Sequence, residues 1–116
     1  MIPPAVSVAT PPATAQLPGG ATVQGYLDPG TTGLNEIHFT FFDAQGTELP
    51  IGKLPMVTAA TGTSPAIDTE VRRFSAGHFI SDQTLTAGRW RFQIVVPATS
   101  DGTTYRACFE QVVRPS

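Results

Sequence analysis

The sequence is poor in cysteine and in charge, and each shortage excludes a class of protein. Cys108 is the single cysteine among 116 residues, so the chain cannot form an internal disulfide and its cysteine content indicates no compartment. Lys and Arg together number only 7, are scattered along the chain, and leave a net charge of -2. Nucleic acids and anionic lipids require a basic surface, so we expect no nucleic-acid partner.

Long hydrophobic segments are also missing. The longest apolar runs, such as residues 94–96, fall far short of the roughly 20 residues that cross a bilayer, so we expect no direct membrane insertion by this chain. A secretory signal would combine a basic segment with a continuous apolar stretch, and neither is present. We therefore expect any targeting or membrane segment to belong to a longer parent chain.

Catalytic motifs are scarce as well. The chain has 2 histidines, one cysteine and no Gly-x-Ser-x-Gly turn, so it offers no recognisable pair of nucleophile and base. The Gly19-Gly20 pair is followed by no helical pattern and is not a phosphate-binding loop. Asp68 and Glu70 share a predicted strand face, where exposed carboxylates usually serve solvation. We predict that the protein is not an enzyme.

What the sequence has in quantity is turn formers and short β-prone segments. Gly and Pro number 11 each, and no window repeats its apolar residues with a helical period. The length fits one domain. The predicted strands cover residues 22–27, 34–43, 47–51, 56–60, 66–74, 77–80, 89–96 and 103–113, the last following a turn at 99–102. With the weaker segment 56–60 discounted, seven strands remain, as is typical of an immunoglobulin-like antiparallel β-sandwich.

Alternation along two of these segments identifies the core. In residues 34–43, Ile37, Phe39 and Phe41 alternate with polar side chains, as in a half-buried strand. In residues 89–96 the side chains expected to face the core are Trp90, Phe92, Ile94 and Val96. Pro50 and Pro55 make the stretch around them an edge strand or an irregular connection, because proline cannot donate to a central ladder.

The two ends of the chain have different compositions. Residues 1–20 contain five prolines, no charge and no hydrophobic period, which predicts a flexible tether. Residues 21–116 carry the predicted sandwich. Within this domain Asp101 and Tyr105 resemble the tyrosine corner of immunoglobulin domains, which supports the sandwich but not membership of the antibody family.

Three stretches of the sequence, taken in order, form a pattern. The first is Leu27-Asp28-Pro29-Gly30 with Gly33-Leu34-Asn35-Glu36-Ile37-His38. The second is Phe42-Asp43-Ala44-Gln45-Gly46-Thr47-Glu48-Leu49. The third, the most specific, is Gly77-His78-Phe79, then Leu85, then Gly88-Arg89-Trp90-Arg91-Phe92-Gln93-Ile94. Together they resemble the extracytoplasmic C-terminal domain of CopD-like copper-resistance and copper-transport membrane proteins, and related YtkA-like domains.

The resemblance implies a non-enzymatic accessory domain on the outer side of a bacterial membrane, in the periplasm or at the cell surface. It would be tethered through residues 1–20 to a membrane-embedded parent, and its partners would be that parent or a copper carrier. Its function would be protein contacts or weak copper capture, with copper as the candidate cofactor.

The link to copper directs attention to imidazole and sulfur side chains, the ligands that copper prefers. These are His38, His78, Met56 and Cys108. The metal site that the resemblance implies consists of His38 and His78, with Met56 as a further ligand. The alternative is that all have structural roles, since no two share a short motif such as His-x-His.

A second functional hypothesis is a cell-surface adhesion or carbohydrate-binding sandwich that shares the Gly-x-Trp strand. A copper module requires His38 and His78, or one of them with Met56, within a few ångströms of each other. A carbohydrate-binding surface requires a flat row of exposed aromatic side chains. The predicted positions of the aromatic residues lie mostly in the core.

Overall fold

The computed structural model describes residues 10–98 and 102–116, and this part of the chain is almost entirely β-structure. Its strands are Ala13–Gln16 (β1), Thr22–Asp28 (β2), Gly33–Phe42 (β3), Met56–Thr61 (β4), Ile67–Thr69 (β5), Val71–Arg73 (β6), His78–Leu85 (β7), Gly88–Val96 (β8) and Tyr105–Val113 (β9). One 3-10 turn, Pro18–Gly20, is the only helical element described. None of the described residues forms a helix long and apolar enough to span a bilayer.

The strands form two antiparallel sheets packed face to face. The five-stranded sheet has the order β1-β2-β3-β7-β6, and the four-stranded sheet has the order β5-β4-β8-β9. Side chains from both inner faces form one core, in which Phe39, Phe41, Phe79 and Phe92 are fully buried. The prediction of an all-β sandwich is therefore confirmed.

The inward positions predicted from alternation are confirmed. Ile37, Phe39 and Phe41 are fully buried on β3, and the predicted face of β8 is buried from Trp90 to Val96. The indole N–H of Trp90 donates to the carbonyl of Thr86 at 2.8 Å, so its polar atom is satisfied at the edge of the core.

The segment predicted as a tether differs in its described part. Strand β1 pairs with β2, and Leu17 is buried in the core. The hydroxyl of Thr10 accepts a hydrogen bond from the backbone N–H of Leu27 at 2.8 Å. The folded unit therefore begins before residue 21. The hydrophobic pattern did not indicate this, because the residues of β1 that pack against the core are small, such as Ala13 and Ala15, and form no strong hydrophobic period. Residues 1–9 of the predicted tether lie outside the described part.

The region around Pro50 and Pro55 divides into a loop and an interior strand. Residues 47–51 form no strand, and only Glu48 makes an isolated bridge, to Phe42. Met56–Thr61, by contrast, pairs with β5 on one side and β8 on the other, so the expectation of an edge or irregular segment is wrong for β4. Pro55 precedes the strand and so removes no hydrogen bond from its ladder.

The predicted strand over residues 66–74 is split into two. Strand β5 pairs with β4, while β6 pairs with β7 of the other sheet, so the chain changes sheets at Glu70. Strand β7 extends to Leu85, five residues beyond the prediction, because β3 provides a partner along its whole length. The turn predicted at 99–102 and the Asp101 partner of the predicted tyrosine corner lie outside the described residues, except for Gly102.

Candidate metal site on the outer face of the five-stranded sheet

The two histidines lie on neighbouring strands and point to the same face. In the antiparallel pairing of β3 with β7, His38 is opposite Ile80 and His78 is opposite Thr40, so the histidines are diagonal neighbours. Since Ile37 and Phe39 are buried inward on β3, His38 lies on the outer face, as the alternation predicted. The register of this one strand pair is what brings the histidines together.

His38 is well covered despite its position on the outer face. The residue is only 8% exposed. Its ring stacks on Tyr26 from β2, with 4.7 Å between ring centroids and 5° between planes. Its Nε2 atom lies 2.9 Å from a carboxylate oxygen of Glu36, two residues earlier on the same face. His38 is therefore held on two sides and is not a solvated strand residue.

The imidazoles of His38 and His78 are in direct contact. Nδ1 of His38 lies 2.9 Å from Nε2 of His78, and the ring centroids are 5.1 Å apart. With both rings neutral, the Nε2–H of His38 donates to Glu36, so its Nδ1 accepts from the Nε2–H of His78. Glu36, His38 and His78 thus form a chain of hydrogen bonds.

The environment of His78 disfavours its protonated form. Burial and, to a smaller degree, the proximity of His38 lower the pKa of His78, while Glu48 opposes the shift. Phe74 covers the ring from the preceding turn, with 4.7 Å between ring centroids. A neutral imidazole retains the nitrogen lone pair that a metal ion requires.

The turn before His78 is fixed by a carboxylate. A single oxygen of Glu48 accepts hydrogen bonds from the Ser75 hydroxyl and from the Gly77 backbone N–H, both at 2.8 Å. Gly77 has no room for a side chain, because a Cβ atom there would overlap the carbonyl oxygen of Leu49. The position of His78 at the start of β7 therefore depends on this packed turn.

Charged residues surround the histidine pair on the same face. Arg72 on β6 donates to both oxygens of Asp82, at 3.1 and 3.3 Å, and to the second oxygen of Glu36 at 3.3 Å. One ligand atom each from Asp28, Glu36 and His38 lies within 4.8 Å of the others. Carboxylate oxygens are thus available beside the imidazole nitrogens.

The two sulfur candidates are not part of this arrangement. Met56 is on β4 of the four-stranded sheet and is 57% exposed. Cys108 is exposed on β9 of the same sheet. The structure brings together His38 and His78 and leaves Met56 on the other sheet, so the site consists of nitrogen and oxygen atoms.

Sequence reasoning placed one of the residues that support the histidines and missed the others. Alternation puts Glu36 on the same outer face as His38, because residues two positions apart on a strand share a face. Tyr26, Asp28 and Arg72 reach the site from other strands, and only the pairing of β2 with β3 and of β6 with β7 places them there. No local signal in the sequence reports such pairings.

Comparison of the chain with protein families, with curated proteins and with solved structures finds no match. The class that the fold and the site define is therefore a β-sandwich domain with one buried and one half-buried imidazole in contact on the outer face of one sheet. The likeness to the CopD-like domain remains a resemblance of sequence pattern.

Proposed function

We propose that this protein is a non-enzymatic β-sandwich module that captures copper(II) weakly through His38 and His78. The observation that carries the proposal is the separation of 2.9 Å between Nδ1 of His38 and Nε2 of His78. A metal ion would take the place of the proton that these two nitrogens share, with small rotations of both rings.

The separation favours right-angled coordination. Two neighbouring ligands of a square-planar ion, each about 2.0–2.1 Å from the metal, are about 2.9 Å apart, whereas tetrahedral ligands are about 3.3 Å apart. Nitrogen and oxygen ligands in tetragonal geometry are typical of Cu(II), and Cu(I) prefers sulfur ligands, which none of the described residues supplies on this face. Two protein ligands leave the remaining coordination positions to water, which agrees with weak capture.

Glu36 would act as an orienting residue in this site. Metal-bound histidines commonly donate their other ring N–H to a carboxylate, which fixes the tautomer and strengthens the ligand. The 2.9 Å contact between Glu36 and Nε2 of His38 has this form and leaves Nδ1 to face His78. Arg72 in turn holds the second oxygen of Glu36.

The setting we propose is extracytoplasmic, as the accessory domain of a copper-related membrane protein. Its partners would be the membrane-embedded part of that parent or a copper carrier. The support is the sequence resemblance together with the histidine pair, since His38 and His78 both lie within the stretches that carry the resemblance.

The adhesion or carbohydrate-binding hypothesis has less support. It requires a row of exposed aromatic side chains, and Phe74, 65% exposed, is the one aromatic residue among the exposed large apolar side chains of the described part. Phe74 packs on His78 rather than beside another aromatic face. No observation favours this hypothesis over copper capture.

Calorimetric titration with Cu(II), and with Cu(I) under reducing conditions, tests the proposal. We expect saturable binding of one Cu(II) ion, weaker binding of Cu(I), and electron paramagnetic resonance coupling from imidazole nitrogens. The double variant His38→Ala, His78→Ala should lose this binding. Met56→Ala and Cys108→Ser are matched controls that retain it. The proposal is wrong if the intact domain binds no Cu(II), or if the double variant binds it equally well.

A further inference from the structure

Among the described residues, no strand pairs with the outer edge of β9, which is nine residues long. Strand β9 pairs with β8 over its whole length and is the last strand of the four-stranded sheet. Its exposed side chains are Arg106, Cys108, Glu110 and Val112. Tyr105–Val113 contains no proline or lysine, the residues that often protect such an edge from pairing with another chain.

The hydrogen bonds around β9 show which of its backbone groups face outward. The N–H and carbonyl of Arg114 bond to Gly30 and Thr32, away from β8. On β8, the carbonyl of Arg89 accepts a hydrogen bond from the Thr61 hydroxyl of β4, so the backbone groups of odd-numbered residues of β8 point toward β4. The backbone N–H and C=O groups of even-numbered residues of β8 therefore point toward β9. In a strand, the N–H and C=O groups of successive residues point to opposite edges. Since the odd-numbered residues of β9 bond to β8, and Arg114 points outward, the backbone groups of residues 106, 108, 110 and 112 point to the open edge.

We infer that β9 is a self-association edge, on which a second copy of this chain pairs antiparallel through its own β9. The two sheets would join into one continuous sheet across a twofold axis. In the register that places Cys108 opposite its symmetry mate, Arg106 of each copy lies opposite Glu110 of the other. Two cross-strand ion pairs then flank the axis, and opposite charges at such positions stabilise strand pairing.

Alternative registers lose this complementarity. Pairing centred on Glu110 or on Arg106 places a charge opposite its own copy, which opposes pairing. Pairing centred on Val112 would require the backbone of Arg114, which is already bonded to Gly30 and Thr32. Within the described residues, no hydrogen bond outside the β8–β9 ladder is made by the backbone of residues 106, 108 or 110.

Charge exchange tests the interface. Sedimentation of the metal-free protein at increasing concentration should show a reversible dimer. Arg106→Glu or Glu110→Arg alone should weaken dimerisation about tenfold, because both ion pairs become like-charge pairs. The double variant Arg106→Glu, Glu110→Arg should restore it. Arg73→Glu, an exposed arginine on β6 of the other sheet, is the matched control that leaves dimerisation unchanged.

Cys108 reports the register directly. Oxidised glutathione would accept the two electrons and two protons released when two Cys108 thiols form a disulfide, and would leave as two reduced molecules. We expect a covalent dimer from the native chain and much less from the Arg106→Glu variant. A monomer at all concentrations, or a dimer insensitive to charge reversal and not restored by the double exchange, would overturn the inference.

Discussion

The ring of Phe109 on β9 lies directly over the backbone of Gly25 on β2. A Cβ atom added at Gly25 would approach Cε2 of Phe109 to 2.6 Å and other ring atoms more closely. Phe109 is only 5% exposed, so its ring cannot turn into solvent to make room. This contact joins the two sheets beneath the outer edge of β9.

Gly25→Ala should therefore destabilise the fold by about 1–3 kcal/mol, the usual penalty for an overfilled core. Urea unfolding followed by tryptophan fluorescence of Trp90 measures the difference. Gly52→Ala is the control, because Gly52 is exposed and has open space around it. Equal unfolding free energies for both variants would contradict this packing.

Asn35 connects β3 to the turn that precedes it. Its side chain is fully buried, accepts a hydrogen bond from Gly30 N–H at 2.7 Å and donates to the carbonyls of Thr31 and Gly33. Asn35→Ala should lower the free energy of unfolding by about 2–4 kcal/mol, since three bonds are lost and the Gly30 donor is left unpaired. Thr32→Val, which removes one exposed bond to Arg114, should cost less than about 0.5 kcal/mol. A small effect of Asn35→Ala would show that the turn holds without it.

The lowered pKa of His78 predicts that stability depends on pH. Because the folded state binds a proton at His78 less readily than the unfolded chain does, this contribution to stability is fully present above the unfolded pKa of about 6.5. It is lost as the pH falls through that value toward the folded pKa. In metal-free buffer, His78→Gln should show a shallower loss of unfolding free energy between about pH 7.5 and 5. Parallel curves for the two proteins would refute this.

Glu48 should contribute a separate dependence at lower pH. Hydrogen bonds from Gly77 and Ser75 lower the pKa of Glu48, so its contribution is present above the unfolded pKa of about 4.3 and is lost as the pH falls through the folded pKa. Glu48→Gln should be less stable than the native chain at neutral pH and lose less stability in acid. Glu70→Gln, at an exposed carboxylate outside this turn, is the control for loss of a surface carboxylate.

Glu36→Gln tests the orientation of His38 within the proposed copper site. Loss of the carboxylate removes the group that fixes the His38 tautomer, and we expect about tenfold weaker Cu(II) binding. Competition titration against a chelator of known affinity measures the change. Asp68→Asn, an exposed carboxylate on the other sheet, should leave the affinity unchanged. Unaltered binding by Glu36→Gln would remove Glu36 from the site.

The amino-acid sequence by itself determined the all-β class and the buried faces of β3 and β8. Alternation of apolar and polar residues reports these features locally, because successive side chains of a strand point to opposite faces. The strong pattern from Trp90 to Val96 was therefore readable without any partner strand. The same local rule placed His38 and Glu36 on one outer face.

Only the tertiary structure decided what meets on that face. His38 and His78 are 40 positions apart in the chain, and their contact depends on the register of β3 against β7, which is set by pairing along both strands. The coverage of His38 by Tyr26, the division of residues 66–74 between two sheets and the inclusion of β1 likewise depend on long-range packing. A sequence pattern records the face of each residue, and the contacts between faces arise only when the strands assemble.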